Sequence, residues 1–178
     1  MITPLIQVAH TADVAAEQLA AARALLYAAF DDMTEEDWEH CLGGMHAFAW
    51  NGNTLVGHAS VVQRQLIHNG RPLRTGYVEG VAVPSEYRRR GVAGAMMAEL
   101  ERIIHAAYEL GGLGSSDDGL PFYLKRGWLR WRGPLSKLTL KGVVQTPEED
   151  GYILVLPVSA EIDLNGELTC DFRDGDGW

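Results

Sequence analysis

Tyr77-Val-Glu-Gly-Val-Ala-Val-Pro-Ser-Glu-Tyr-Arg-Arg-Arg-Gly-Val-Ala-Gly94 is the stretch on which the fold turns. Up to Val83 it is an apolar, alternating segment; Pro84-Ser85 then turns the chain, and from Gly91 the apolar positions fall at helical spacing. A strand, an arginine- and glycine-rich loop and a helix start follow one another directly. Such a junction aims several backbone N–H groups and the positive end of a helix dipole at one spot, which suits a phosphate or pyrophosphate, and Arg88, Arg89 and Arg90 add charge. The rival phosphate loops are absent, since there is neither a G-x-x-x-x-G-K-[ST] nor a G-x-G-x-x-G behind an N-terminal strand.

Upstream, residues 45–50 and 55–67 alternate around Asn51-Gly52-Asn53, a strong hairpin signal. His68-Asn69-Gly70-Arg71-Pro72 is a second turn before a strand over 73–83, so an antiparallel meander is expected. Before it come a short strand at 4–9 and a helix over 13–30 whose Leu19, Ala22, Leu26, Ala29 and Phe30 share a face. Downstream, a helix over 91–110 buries Val92, Met96, Leu100, Ile103 and Ala107. A short strand follows at 111–116, then a helix capped by Asp117 that stops at Gly127. Strands are expected over 128–140 and 152–156, and the tail to Trp178 is expected to dock. This order is α+β, a mixed, mainly antiparallel sheet flanked by helices, in a single domain over 1–178.

Composition fits a globular chain: 178 residues, 47% hydrophobic and 22% charged. No apolar run reaches the ~18 residues of a membrane span and no basic-then-apolar leader opens the chain, so a cytoplasmic protein away from membranes is expected. Cys41 and Cys170 lie in no metal or redox spacing and read as buried thiols. His46, His58 and His68 show no metal spacing either, and no metal is expected. The net charge of −9 divides into −7 over residues 1–40, +6 over 63–141 and −8 over 144–178. A basic centre between acidic ends argues against nucleic acid and for an anionic ligand at the centre with a cationic one held by the ends.

Between residues 31 and 40 carboxylates crowd without a lysine or arginine. Thr34-x-x-Asp37 fits a helix capping box, which accounts for Glu35 and Glu36 as first-turn residues and leaves Asp37 open to a cap or a ligand role. It leaves Asp31 and Asp32 unexplained.

Arg88-x-x-Gly91-x-Ala93 resembles the loop by which the GNAT acetyltransferase superfamily holds the pyrophosphate of acetyl-coenzyme A. The resemblance implies that Val81, Ala82 and Val83 line the pantetheine, with backbone N–H groups near Val81 and Val83 polarising the thioester carbonyl. It implies that Arg88, Arg89, Arg90, Gly91, Val92, Ala93 and Gly94 take the pyrophosphate. Glu79, beside the reacting carbon, would take the proton of an attacking amine, and Tyr123 would protonate the departing thiolate.

Trp38-Glu-His-x-Leu-Gly-Gly-Met-His46, Gly76-Tyr-Val-Glu-Gly80, Tyr123-Leu-Lys-Arg-Gly-Trp128 and Cys170-Asp-Phe-Arg-x-Gly-Asp-x-Trp178 are similar to the aminoglycoside 2′-N-acetyltransferases within that superfamily. The likeness implies a homodimer that acetylates the 2′-amine of a polycationic drug and so confers resistance. Asp32, Asp37, Glu79, Gly80, Gly114, Ser115, Glu149, Asp176 and Trp178, the last through its α-carboxylate, would line the acceptor. Gly114 stands where relatives carry serine, and spacing alone does not choose among Glu148, Glu149 and Asp150. The same residues are compatible with an N-acetyltransferase of another amino sugar, such as a cell-wall component, or with a non-catalytic module that sequesters aminoglycoside or acyl-coenzyme A.

Overall fold

The computed structural model describes residues 3–178. Along the chain come β1 (Leu5–His10), α1 (Ala16–Ala29), α2 (Glu35–His40), β2 (Met45–Asn51), β3 (Thr54–His68), β4 (Arg71–Ala82), α3 (Val92–Ala107) and β5 (Leu110–Gly114). They are followed by α4 (Leu120–Lys125), β6 (Leu129–Arg130), β7 (Leu135–Thr139), β8 (Gly142–Gln145), β9 (Ile153–Pro157) and β10 (Leu168–Cys170). Backbone packing groups them into two units: residues up to Val62 with Val78–Ile103, and Gln63–Tyr77 with Ile104–Trp178. β3 and β4 each contribute to both.

In the first unit β1 pairs antiparallel with β2, and β2 antiparallel with β3, in the register Met45↔Val61 to Asn51↔Thr54. The β2–β3 turn falls within the expected Asn51-Gly52-Asn53, on Gly52-Asn53, because Asn51 still pairs with Thr54. The turn from β3 to β4 is Asn69 (φ 49°) and Gly70 (φ 77°), both left-handed as a tight type I′ hairpin requires. One sheet face carries Phe48 and Ala82 against Ala22, Leu26, Trp38 and Cys41 of the α1–α2 layer. On the other, Gly57 sits so close to Val92 and Met96 of α3 that a Cβ there would lie 2.8 Å from Val92 Cγ1. α1 begins later than expected because a 3-10 turn over Thr11–Asp13 precedes it, and its N-cap, Ala15, offers no side-chain acceptor. α2 has the expected capping box: Thr34 Oγ1 accepts from the Asp37 N–H (3.2 Å) and Asp37 Oδ2 from the Thr34 N–H (2.9 Å).

The second unit runs β6-β9-β5-β4-β3-β10-β7-β8 across its strands. β5 lies parallel to β4 over Thr75–Tyr77 and antiparallel to β9, while β10 pairs antiparallel with the end of β3 and parallel with β7. A parallel β4–β5 pair needs a crossover, and α3 supplies it in the chain order. Its buried residues are Val92, Met96, Met97, Leu100 and Ile104, whereas Ile103 is half-buried and Ala107 exposed. The stripe therefore drifts by one position from the expected one, and the chain leaves the helix at Ala107 so that Leu110 can open β5.

Three further expectations change. The single strand over 128–140 is broken into β6 and β7 at Gly133-Pro134, where Gly166 O lies 1.9 Å from the place a Gly133 Cβ would take. β8 and β10 appear where none was expected. α4 starts at Gly119 without a side-chain cap, and Ser116, not Asp117, makes the turn by accepting the Gly119 and Leu120 N–H groups on its carbonyl. Its end is as expected: Gly127 (φ 95°) closes a Schellman motif in which Trp128 N–H reaches Tyr123 O and Gly127 N–H reaches Leu124 O.

Candidate active site

The last rung between β4 and β5 is Tyr77↔Gly112, and β4 continues past it to Ala82. That continuation carries Glu79, Gly80 and Val81, each half-buried, beside the buried Val78 and Ala82. Gly80 breaks the strand's regular geometry. Its φ is +56°, and a Cβ there would lie 2.7 Å from Cys41 Sγ and 2.9 Å from Leu26 Cδ2. A left-handed residue inside a strand is a bulge that re-aims its neighbours. Gly80→Ala adds both the left-handed penalty of an L-residue and overpacking, and is expected to cost about 2 kcal/mol, read as a lowered unfolding midpoint in urea.

Past β4 the chain makes a 3-10 turn over Ser85–Tyr87 and then exposes Arg88, Arg89 and Arg90. Arg88 turns back to donate from Nε to Val83 O at 3.1 Å, and Arg90 lies 5.9 Å from the Tyr87 ring centre. Arg89 (φ 59°) and Gly91 (φ 90°) are both left-handed, which curls the backbone immediately before α3. The Ala95 N–H is bonded to Gly91 O, while the N–H groups of Val92, Ala93 and Gly94 precede the first complete helical turn and have no intrahelical acceptor. Guanidinium groups, a curled loop and the start of a 16-residue helix together fit a diphosphate.

The acidic run of the same unit divides. Glu35 is ion-paired with Arg23 and accepts from Tyr27 Oη. Asp37 Oδ2 takes both the N–H and the hydroxyl of Thr34 (2.9 and 2.8 Å), so the cap reading of Asp37 holds and any ligand role must share that carboxylate. Asp32 is exposed in the turn before α2. The C-terminal end of α2 reaches the bulge, because Cys41, which donates from Sγ to Asp37 O at 3.4 Å, is also the atom that crowds Gly80.

In the second unit Tyr123 is buried in α4, edge-on to Phe122 and to Trp128. Gly114 ends β5; a Cβ there would meet only Ile153 Cδ1 and Tyr77 Oη, at 3.7 and 3.8 Å, so the position has room for a small side chain. Ser115 Oγ is bonded to Ser116 O. Of the carboxylates at 148–150, only Glu149 is half-buried. Burial, followed by the Asp176 and Glu148 carboxylates, pushes its pKa up, with Lys137 opposing.

The chain's last residues are docked as expected, by two arginines whose function the sequence did not announce. Arg64 donates from Nη2 to Gly177 O (2.7 Å) and from Nε to Asp171 Oδ1 (2.8 Å). Arg173 donates to Asp176 O (2.7 Å) and to the Trp178 main-chain oxygen (2.6 Å). Both guanidinium groups lie against the Tyr77 ring, at 4.7 and 5.7 Å from its centre. Trp178 itself is buried, its indole N–H donating to Thr146 Oγ1 at 2.9 Å. Beneath the tail, burial pushes the Cys170 thiol up to about 11, against the pull of Arg64, so it stays an inert thiol.

A strand that runs past its neighbour into an arginine-glycine loop and a helix N-terminus defines a class of acyl-transfer enzyme, and the family profile of the acetyltransferase (GNAT) domain matches residues 11–130. The chain belongs to the GNAT acetyltransferase family. It is 47% identical over 174 residues to the aminoglycoside 2′-N-acetyltransferase of Mycolicibacterium fortuitum, covering 95% of this chain and 89% of that enzyme. Among solved structures, the GNAT family N-acetyltransferase YhbS of Escherichia coli, crystallised with CoA, shares the fold at a TM-score of 0.68 and 16% identity, over 96% of this chain and 91% of its own. A probable N-acyltransferase from Enterococcus faecalis V583 matches at 0.61 and 20% identity, over 74% of this chain, which spans about a third (33%) of that longer protein. No helix among the described residues is long and apolar enough to cross a membrane, and no metal-binding cluster occurs among them.

Proposed function

We propose that the protein transfers the acetyl group of acetyl-coenzyme A to the 2′-amino group of aminoglycoside antibiotics, directly within a ternary complex. The observation that carries this reading is the identity of 47% along nearly the whole chain to an enzyme of that name. Acetyl-coenzyme A supplies an activated acetyl thioester. The loop from Arg88 to Gly94 holds its diphosphate, and Val81, Ala82 and Val83 line its pantetheine arm. The Val81 N–H polarises the thioester carbonyl, Glu79 takes the proton of the attacking amine, and Tyr123 returns a proton to the thiolate. Asp32, Asp37, Gly80, Gly114, Ser115, Glu149, Asp176 and Trp178 line the acceptor, the carboxylates meeting its ammonium groups by charge-assisted hydrogen bonds.

Acetylation turns a cationic amine into a neutral amide, and we assign the reaction a role in resistance, in the cytoplasm where acetyl-coenzyme A is made. A homodimer is proposed on β8, an edge strand with Val143 and Val144 exposed beside Leu140 (89% exposed). Sedimentation at a monomer mass would overturn that part.

The test is thiol release from acetyl-coenzyme A with gentamicin and tobramycin, which carry a 2′-amine, against kanamycin A and amikacin, which carry a 2′-hydroxyl. Turnover with the first pair alone is expected. Equal turnover with all four moves the reaction to another amine.

A pH dependence follows from Glu149. A carboxylic acid with a raised pKa stays protonated, and so uncharged, to higher pH than an ordinary carboxyl, and a polycation is held only by the ionised form. KM for the aminoglycoside therefore rises as pH falls, beginning above the ordinary carboxylate range. Asp176→Asn removes a charge that raises Glu149 and is expected to move that limb to lower pH. A limb left in place by Asp176→Asn would show that Glu149 does not set it.

A further inference from the structure

His46 and His58 are both fully buried, each within hydrogen-bond reach of the other, in the face of β2 and β3 that packs on α1 and α2. His58 Nδ1 lies 3.0 Å from Gly80 O, His58 Nε2 2.9 Å from His46 Nδ1, and His46 Nε2 2.7 Å from Thr11 Oγ1. Only one assignment of protons satisfies these contacts. A carbonyl can only accept, so His58 donates from Nδ1; neutral His58 then accepts at Nε2, so His46 donates from Nδ1 and accepts at Nε2 from the Thr11 hydroxyl. That hydroxyl accepts the Gly43 N–H and gives its one proton to this nearer partner over Gly44 O at 3.3 Å. Both rings carry the proton on Nδ1, the reverse of the tautomer that a histidine side chain prefers in water.

The rings stay neutral. Burial, followed by His10, lowers His46 to about 4; burial, followed by His46, lowers His58 to about 3, although the Gly80 carbonyl opposes that shift. The aromatic side chains stacked or tilted against the pair, Phe48 and Trp38, bring no charge.

The acceptor at the end of this chain is the carbonyl of the bulge residue. In a planar trans peptide the C=O and the following N–H point in opposite directions. Fixing Gly80 C=O on His58 therefore fixes the direction of the Val81 N–H, and it pins the bulge next to Glu79. We propose that Thr11, His46 and His58 form a buried positioning chain that, through the Gly80 carbonyl, aims the Val81 N–H at the thioester carbonyl oxygen. The proposal rests on the acetyl-transfer reading above and makes the two histidines positioning residues, since neither touches a reacting atom.

The test pairs spectroscopy with a graded series. Imidazole ¹⁵N correlation spectra of the intact protein between pH 5 and 8 are expected to show two Nδ1-protonated, neutral rings. His58→Asn keeps a donor where Nδ1 stands but does not reach His46; His58→Gln reaches toward His46 without that donor; His58→Leu offers neither. A misaimed donor costs catalysis, not affinity, so Gln and Leu are expected to lower kcat by about tenfold or more and Asn by no more than about threefold, with KM for acetyl-coenzyme A within about twofold throughout. An Nε2-protonated His58, or the same kcat for Asn, Gln and Leu, overturns the proposal while leaving the acetyl-transfer reading intact. Wild-type protein that acetylates none of the aminoglycosides overturns that reading and the positioning role with it.

Discussion

Glu79→Gln is expected to lower kcat for tobramycin by about 10²- to 10⁴-fold while acetyl-coenzyme A still binds with unchanged affinity. The substitution is nearly isosteric at a half-buried strand position, and urea unfolding of the variant reads any effect on the fold separately from the rate. On the proposed mechanism, what it removes is the proton acceptor. An aminoglycoside amine is mostly ammonium at neutral pH, and only the free base attacks a thioester. With glutamine in place, deprotonation is left to water and the rate rises with pH over the amine's own range. With the native glutamate, a second route for the proton is expected, and the rate then depends less steeply on pH. Steady-state rates from pH 6 to 10, with isothermal titration of acetyl-coenzyme A, separate the steps. A variant with native kcat at pH 7 would remove Glu79 from proton transfer, and one that no longer bound acetyl-coenzyme A would move its role to the donor.

Arg64→Ala is expected to cost about 2–3 kcal/mol of stability, below the scale for a fully buried ion pair because the Asp171 side chain left behind is 34% exposed. The Arg64 side chain is 4% exposed. Burial works against its charge, and Tyr77, Asp171 and Cys170 more than offset it, so the guanidinium is held more firmly protonated than usual. Its removal leaves Asp171 with only the Gln65 N–H (3.0 Å) among these bonds, and strips Gly177 O of a charged donor in a buried setting. Urea unfolding reads the loss. Enzyme kinetics read a second consequence, because Asp176 and Trp178 lose the grip that positions them and KM for the aminoglycoside rises, whereas KM for acetyl-coenzyme A does not. A midpoint equal to wild type would mean that the ion pair does not hold the tail.

What was legible in the sequence was local. Asn69-Gly70 specifies its own turn, Thr34 and Asp37 cap each other, and Gly127 stops α4, because each signal acts within a few residues. The loop from Arg88 to Gly94 was readable for the same reason. The break of residues 128–140 into β6 and β7 was not, since it depends on Gly166 O approaching Gly133 from 33 residues away. Arg64 did leave a trace. It falls in the buried phase of β3, between Val62 and Leu66, where the exposed Gln63 and Gln65 mark the other phase. A charge at such a position calls for a partner, but Asp171 is 107 residues further on and nothing local names it. The histidines were likewise visible as residues and not as a chain, because their common acceptor is a main-chain carbonyl with no side chain to read.

The long reach of Arg64 also sets a timetable. Its bond to Gly177 spans 113 residues, so closing that loop costs more chain entropy than any hairpin in the meander. Losing a contact that forms after the main folding barrier speeds unfolding without slowing refolding, and Arg64→Ala is expected to show that pattern in urea chevrons. During synthesis the loop proposed to bind the donor leaves the ribosome long before Glu149, Asp176 and Trp178, which are proposed for the acceptor's surroundings. A nascent chain halted after α3 thus carries every residue assigned to the diphosphate but, of those proposed to meet the acceptor, only Asp32, Asp37, Glu79 and Gly80.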